Sequence, residues 1–139
     1  MTLDMHTPRT LHLLDSIALI TPEMAEGIVV TGSHGGTSAA SFVLALQHKP
    51  HAVFFNDAGI GKDDAGIAAL ALMQEVGVIA AVYAHTSARI GDANDGWCNG
   101  VITRCNALAQ TAGIAPQQTV SDVVARFTHR EHGPRQISF

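Results

Sequence analysis

The sequence predicts a small three-layer α/β domain with a mainly parallel sheet, on three observations. Short apolar runs rich in β-branched residues alternate three times with longer amphipathic segments. Those runs are almost continuously apolar, as strands buried on both faces are. Glycine, proline or a capping residue punctuates nearly every boundary. A chain built this way is Rossmann-like or flavodoxin-like, with its strand order left open. The 139 residues suit a single domain, and 47% hydrophobic against 14% charged residues excludes a disordered chain.

Residues 1–10 read as a loose lead-in that includes His6, and His12 follows it closely. LHLLDSIALI (11–20) suits a strand or a short helix, and TPEM (21–24) offers Thr21 as a cap with Pro22 at the first helical position. GIVVTGS (27–33) reads as a buried strand. GTSAASFVLALQHK (36–49) reads as a helix capped by Thr37 or Ser38, with Phe42 and Leu46 on its apolar face, stopped by Pro50. HAVFFND (51–57) is the second strand, AGIGK a turn, and DDAGIAALALMQEV (63–76) the second helix. Asp63 or Asp64 suits its N-terminus, and Gly77 its end. VIAAVYAH (78–85) is the third strand, and SARIGDANDG (87–96) a polar loop. WCNGVITRCNALAQTA (97–112) is expected as a third helix ending at Gly113, with Trp97 filling the core. SDVVARFTH (121–129) is a short helix capped by Ser121, and 130–139 a tail.

Composition removes several function classes. A formal charge of −4 and few, scattered basic residues argue against nucleic acid. The first residues hold no signal-peptide core, and no apolar stretch is long enough to cross a membrane, so a soluble cytoplasmic protein is expected. On one helix Cys98 and Cys105 stand two turns apart, roughly 10 Å at a 1.5 Å rise per residue, too far for a disulfide. Reduced thiols fit a reducing compartment. Alanine-rich AGIAALALM (65–73) suits close packing in a homo-oligomer.

Parallel sheets bind ligands beyond the carboxyl ends of their strands. At those ends the sequence gathers most of its unusual polar groups. The first loop holds Ser33, His34, Gly35, Gly36, Thr37 and Ser38 ahead of a helix, where backbone amides form an anion site. It lacks the spacing of the dinucleotide fingerprint and of the phosphate-binding P-loop. The second loop holds Asn56, Asp57, Gly59, Gly61 and Lys62. Asp57 ends a buried strand, while Lys62 is either an anion clamp or paired in solvent with Asp63 or Asp64. The third holds His85, Arg89 and Asp92. Arg89 either grips a carboxylate or phosphate or pairs with Asp92, and His85 is either an acid/base group or a histidine bonded to backbone. His48, His51, His129 and His132 show no zinc-site spacing, and no metal or cofactor is called for.

Two stretches resemble sugar-phosphate isomerases of the ribose-5-phosphate isomerase B type. GSHGG before a helix is similar to that family's early G-S-D-H-A-G loop. GIGKDDAGIAAL and GVIAAVYAHTSARIGDAND are similar to its G-T-G-I-G loop, the following helix and a later strand with its loop. The resemblance implies a Rossmann-like dimer that binds phosphate and shuttles a proton, with His34, Gly59, Gly61, Arg89 and Asp92 in the corresponding loops. Ser33 stands where that family has an aspartate, and Asn56 and Asp57 where it has a cysteine base.

These readings converge on a cofactor-free enzyme of isomerase, lyase or hydrolase type acting on a small phosphate- or carboxylate-bearing metabolite. His34, Asp57 and His85 are the expected acid/base groups. Ser33, Gly35, Gly36, Thr37, Ser38, Asn56, Gly61, Lys62, Arg89 and Asp92 are expected to bind substrate. The rival reading is a non-catalytic metabolite-binding or partner-binding module of the same fold.

Overall fold

The computed structural model describes residues 8–128; residues 1–7 and 129–139, with His6, His129, His132 and the tail, lie outside them. Five strands form one sheet in sequential order: β1 (Leu11–Leu14), β2 (Ile28–His34), β3 (Ala52–Asn56), β4 (Ile79–Tyr83) and β5 (Ile102–Cys105). The first four run parallel, and β5 is antiparallel to β4. Parallel neighbours need crossover connections, and right-handed crossovers stepping one way leave their helices on one face. The packing agrees. Val29, Val53, Phe55 and Val82 meet Ala40 and Val43 of α1 (Thr37–Leu44) and Leu70 and Met73 of α2 (Ala69–Glu75). The opposite side chains, Val30, Phe54, Ala81 and Tyr83, are covered by elements that follow β4, among them α3 (Ala93–Asn99) and α5 (Val120–Thr128). The result is the expected α/β arrangement of helices on both faces of a mainly parallel sheet.

Sequential order has a consequence for function. The common doubly wound sheets reverse their winding once and bind ligands in the crevice at that reversal. The parallel strands here never reverse. Loops, rather than a topological crevice, must therefore build any site at the carboxyl edge.

Several elements differ from the sequence expectation. Residues 97–112 are not one helix but α3, β5 and α4 (Ala107–Thr111). Asp92 caps α3 by accepting from the Asp95 N–H. Gly100 ends it, where an added Cβ would lie 3.0 Å from the Tyr83 ring. Val101, Ile102 and Thr103 are β-branched and favour the extended chain that follows. Cys98 and Cys105, both free thiols, therefore sit on α3 and β5 rather than on one helix. Trp97 packs against the core as expected.

The other corrections are shorter. Leu11–Leu14, carrying His12, is a strand, one of its two expected forms, but it is short and is followed by a 3-10 turn at Ile17–Leu19. Pro22–Met24 is a second 3-10 turn with Thr21 at its N-cap and Pro22 at its start, as expected, although the Thr21 hydroxyl makes no capping bond. Gly36, not Thr37 or Ser38, occupies the N-cap of α1, which stops at Leu44. Phe42 leaves the apolar face and is 42% exposed. A 3-10 helix at Lys62–Ile67 precedes α2, and Asp64, at φ +59°, cannot cap a continuous α-helix there. Thr119, not Ser121, accepts from the first turn of α5 through its hydroxyl. Among the described residues no helix is long and apolar enough to cross a membrane.

Candidate functional site

Asp57 directly follows β3, and its N–H donates to Tyr83 O, extending the parallel ladder by one residue. That bond aims its side chain between the ends of β4 and β5. The residue is 4% exposed, yet its carboxylate is saturated with donors. Oδ1 accepts from the N–H groups of Gly59 at 2.8 Å and His85 at 3.0 Å, and lies 3.3 Å from His85 Nδ1. Oδ2 accepts from the Thr103 hydroxyl at 3.1 Å. A buried carboxylate is stable only when its lone pairs are used this way. The His85 side chain is 52% exposed. The Asp57 contact occupies Nδ1 and leaves Nε2 as the ring's other polar atom.

The loop that holds Asp57 is tightly wound. Ala58, Gly59, Ile60 and Gly61 all have left-handed backbone, at φ values of 50°, 75°, 68° and 76°. Ile60 is the costly member, because a β-branched side chain resists that region. Gly59 lies under the imidazole, where a Cβ would stand 3.3 Å from His85 Cε1. The amides of this loop serve its own fold. Ala58 N–H goes to Asn56 Oδ1, Gly59 N–H to Asp57, Ile60 N–H to Asp57 O and Gly61 N–H to Gly59 O. They are therefore not an anion cradle, and Gly61 has a conformational role. Asn56 is fully buried and also structural, its amide donating to Ala88 O at 3.1 Å.

The first glycine loop divides its residues differently. Ser33 Oγ accepts from Ile17 N–H at 2.9 Å, tying the 3-10 turn after β1 to β2. Gly35 N–H donates to Asn56 O and its carbonyl accepts from Ala69 N–H, so its amide is committed to the fold. Gly36 admits the His34 ring, since a Cβ there would lie 2.8 Å from Nδ1. His34 is exposed and makes no hydrogen bond to Asp57 or His85 among the described residues. It lines a cleft of about 340 Å³ together with Ile17, Ser33, Ser38, Phe42 and Ile90. Thr37, the first residue of α1 and next to Ser38, is exposed and outside the cleft lining.

The third loop is mostly self-contained. Asp92 acts as the α3 cap rather than as a partner of Arg89. Arg89 N–H donates to Asp95 Oδ2 at 2.8 Å. The Asn99 amide, seconded by that N–H, holds the Asp95 carboxyl below the usual carboxylate range. Tyr83 is buried beneath the loops, with its hydroxyl donating to Thr31 O at 2.7 Å. Burial pushes its phenol well above the usual value, so it stays neutral. Lys62 and Arg89 are exposed near the ends of β3 and β4.

Of the three expected acid/base groups, the structure joins Asp57 to His85 and leaves His34 in the neighbouring cleft. Thr103 is the neighbour of Asp57 that sequence reasoning missed. Its signal was the β-branched run Val101-Ile102-Thr103 after Asn99-Gly100, a strand start hidden inside an expected helix. Among the described residues no group of three or more His, Cys, Asp or Glu side chains converges in a way that could hold a metal ion. No protein-family model matches the chain, and neither a curated protein nor a solved structure matches it.

Proposed function

We propose that the carboxyl edge of the sheet is a cofactor-free proton-transfer site, with His85 as the acid/base group and Asp57 as its positioning residue. The observation that carries this reading is the buried Asp57 carboxylate facing His85 Nδ1 at 3.3 Å while the imidazole remains half exposed. A carboxylate at Nδ1 fixes one tautomer with the proton on Nδ1. Nε2 is then free to accept a proton, and the carboxylate stabilises the imidazolium that forms. Asp57 is enclosed by four contacts, which suits orienting the ring better than meeting substrate itself.

Lys62 and Arg89 supply mobile positive charge near the strand ends, which favours a phosphate- or carboxylate-bearing metabolite. The reaction classes are those that move a proton without redox chemistry: isomerisation, elimination or hydrolysis. The likeness of the glycine loops to ribose-5-phosphate isomerases of the B type points the same way. The layers and parallel strands resemble those of Rossmann-like and flavodoxin-like domains, while the sequential strand order differs from both. Free Cys98 and Cys105 suit the cytoplasm.

Proton NMR of sugar phosphates, 2-oxo acids and hydroxy acids in D2O with the protein reads both deuterium incorporation and new products. At least one compound is expected to react, and His85→Gln to slow it by about 10²–10⁴-fold. Reaction at the wild-type rate in that variant would refute the role of His85, and an inert panel would refute proton transfer. The second reading, a non-catalytic binding module, draws on His34, which lines a cleft apart from the dyad. It expects binding with no chemistry in the same tubes.

A further inference from the structure

Of the five large apolar side chains exposed among the described residues, Phe42 and Ile90 line the same cleft. Phe42, on α1, is 42% exposed, and Ile90, in the loop after β4, is 53% exposed. Ile17 lies in the same lining and belongs to the core. Both exposed side chains leave about half of their surface in water, in the lining of one cleft. Misfits of this kind concentrate at binding sites. Two polar side chains converge on the same space, His34 from the end of β2 and Ser38 from α1, while Ser33, also in the lining, is already tied to Ile17 N–H. The volume of about 340 Å³ is at the small end of ligand pockets.

We propose that this cleft binds the apolar body of a small molecule whose anionic head is held by His34 and Ser38. Each of these side chains can donate a hydrogen bond, whichever imidazole tautomer is present. An acceptor-rich carboxylate or phosphate meets both. Asp15 is the one carboxylate in the lining, and its Oδ1 already accepts from the Ala93 N–H at 2.9 Å. It repels an anion, so the head belongs at the His34 side and the body against Phe42 and Ile90. His34 pairs in register with Asn56 of β3, the residue before Asp57. Neighbouring strands are about 4.8 Å apart, and β2, which ends in His34, lies two strand spacings from β4, which His85 follows. That the occupant is also the substrate rests on the proton-transfer reading; that the cleft is occupied does not.

Two-dimensional amide NMR with phenyl phosphate, phenylacetate, inorganic phosphate and benzyl alcohol tests the assignment. Phenyl phosphate or phenylacetate is expected to shift the amides of Ser33, His34, Ser38, Phe42 and Ile90. Inorganic phosphate and benzyl alcohol are expected to bind at least about tenfold more weakly, since each lacks one half of the ligand. His34→Ala should weaken binding by about tenfold, the worth of one charge-assisted hydrogen bond. Asp15→Asn keeps the acceptor for Ala93 and should tighten it.

Shifts elsewhere only, equal binding of inorganic phosphate, or no response to both substitutions would overturn the proposal. His85→Gln should bind these probes as the wild type does. Binding without any proton transfer would sink the proposed function and leave the cleft standing. Proton transfer without binding here would do the reverse.

Discussion

Thr103 supplies the fourth donor to a carboxylate that is almost out of water. Its hydroxyl fixes Oδ2 and thereby turns Oδ1 toward His85, so it controls the ring at one remove. Thr103→Val removes the donor without changing the side-chain shape. It leaves a buried carboxylate oxygen with nothing to accept from, at a cost of about 1–3 kcal/mol. Urea unfolding should report that loss, and Thr103→Ser should recover most of it. An unchanged midpoint in the valine variant would mean that water replaces the hydroxyl. The two candidate residues legible from sequence, Asp57 and His85, were legible for a simple reason. Each is a polar group ending an apolar strand, and parallel neighbours bring such ends together. Ser33 and Gly35 resembled binding groups for the same reason, yet the fold uses their polar atoms itself. Composition cannot tell a serine that accepts from Ile17 from one that awaits a ligand.

Asn106 is the clearest case at the scale of elements. It is 7% exposed and uses the whole capacity of its amide. Oδ1 accepts from Ala80 and Ala109 N–H groups, and Nδ2 donates to Leu70 and Val78 carbonyls. One side chain thus caps α4 and stitches it to β4 and to both ends of the α2 crossover. Asn106→Ala should cost about 2–4 kcal/mol, more than an ordinary cap, because four backbone groups lose their partner together. Amide exchange at Ala80 and Ala109 should rise with it, and protection unchanged there would dissolve the stitch. This element also marks where sequence patterning stopped working. β2, β3 and β4 were legible because parallel buried strands are nearly all apolar. α3, β5 and α4 are three elements in a span that also fits one helix. What divides them is the close fit of Gly100 against Tyr83 and the pairing of β5 with β4, both of which are tertiary.

At the scale of the whole molecule, the two ends of the sheet are chemically different. The carboxyl edge carries the dyad and the cleft, while the amino edge holds two histidines in structural positions. His12 lies on β1 against Gly27, where a Cβ would be 2.9 Å from its ring. His51, just before β3, meets Phe127 of α5 edge to face, with ring centroids 5.4 Å apart. Burial lowers the pKa of both, and the Arg9 charge lowers that of His51 further, against a smaller opposing pull from Glu26. A base whose folded pKa is depressed binds fewer protons folded than unfolded, so stability rises with pH across the interval between the two values. Their contribution is therefore complete above the unfolded histidine value of about 6.5 and is lost as the pH falls below it. The slope cannot exceed about 1.4 kcal/mol per pH unit for each histidine. Urea midpoints between pH 7.5 and 5.5 should fall accordingly, above the range where carboxylates protonate. His12→Gln with His51→Gln should flatten that fall while leaving the proton transfer proposed for His85, at the opposite edge, untouched. A slope that survives both substitutions would assign the pH dependence to groups other than His12 and His51.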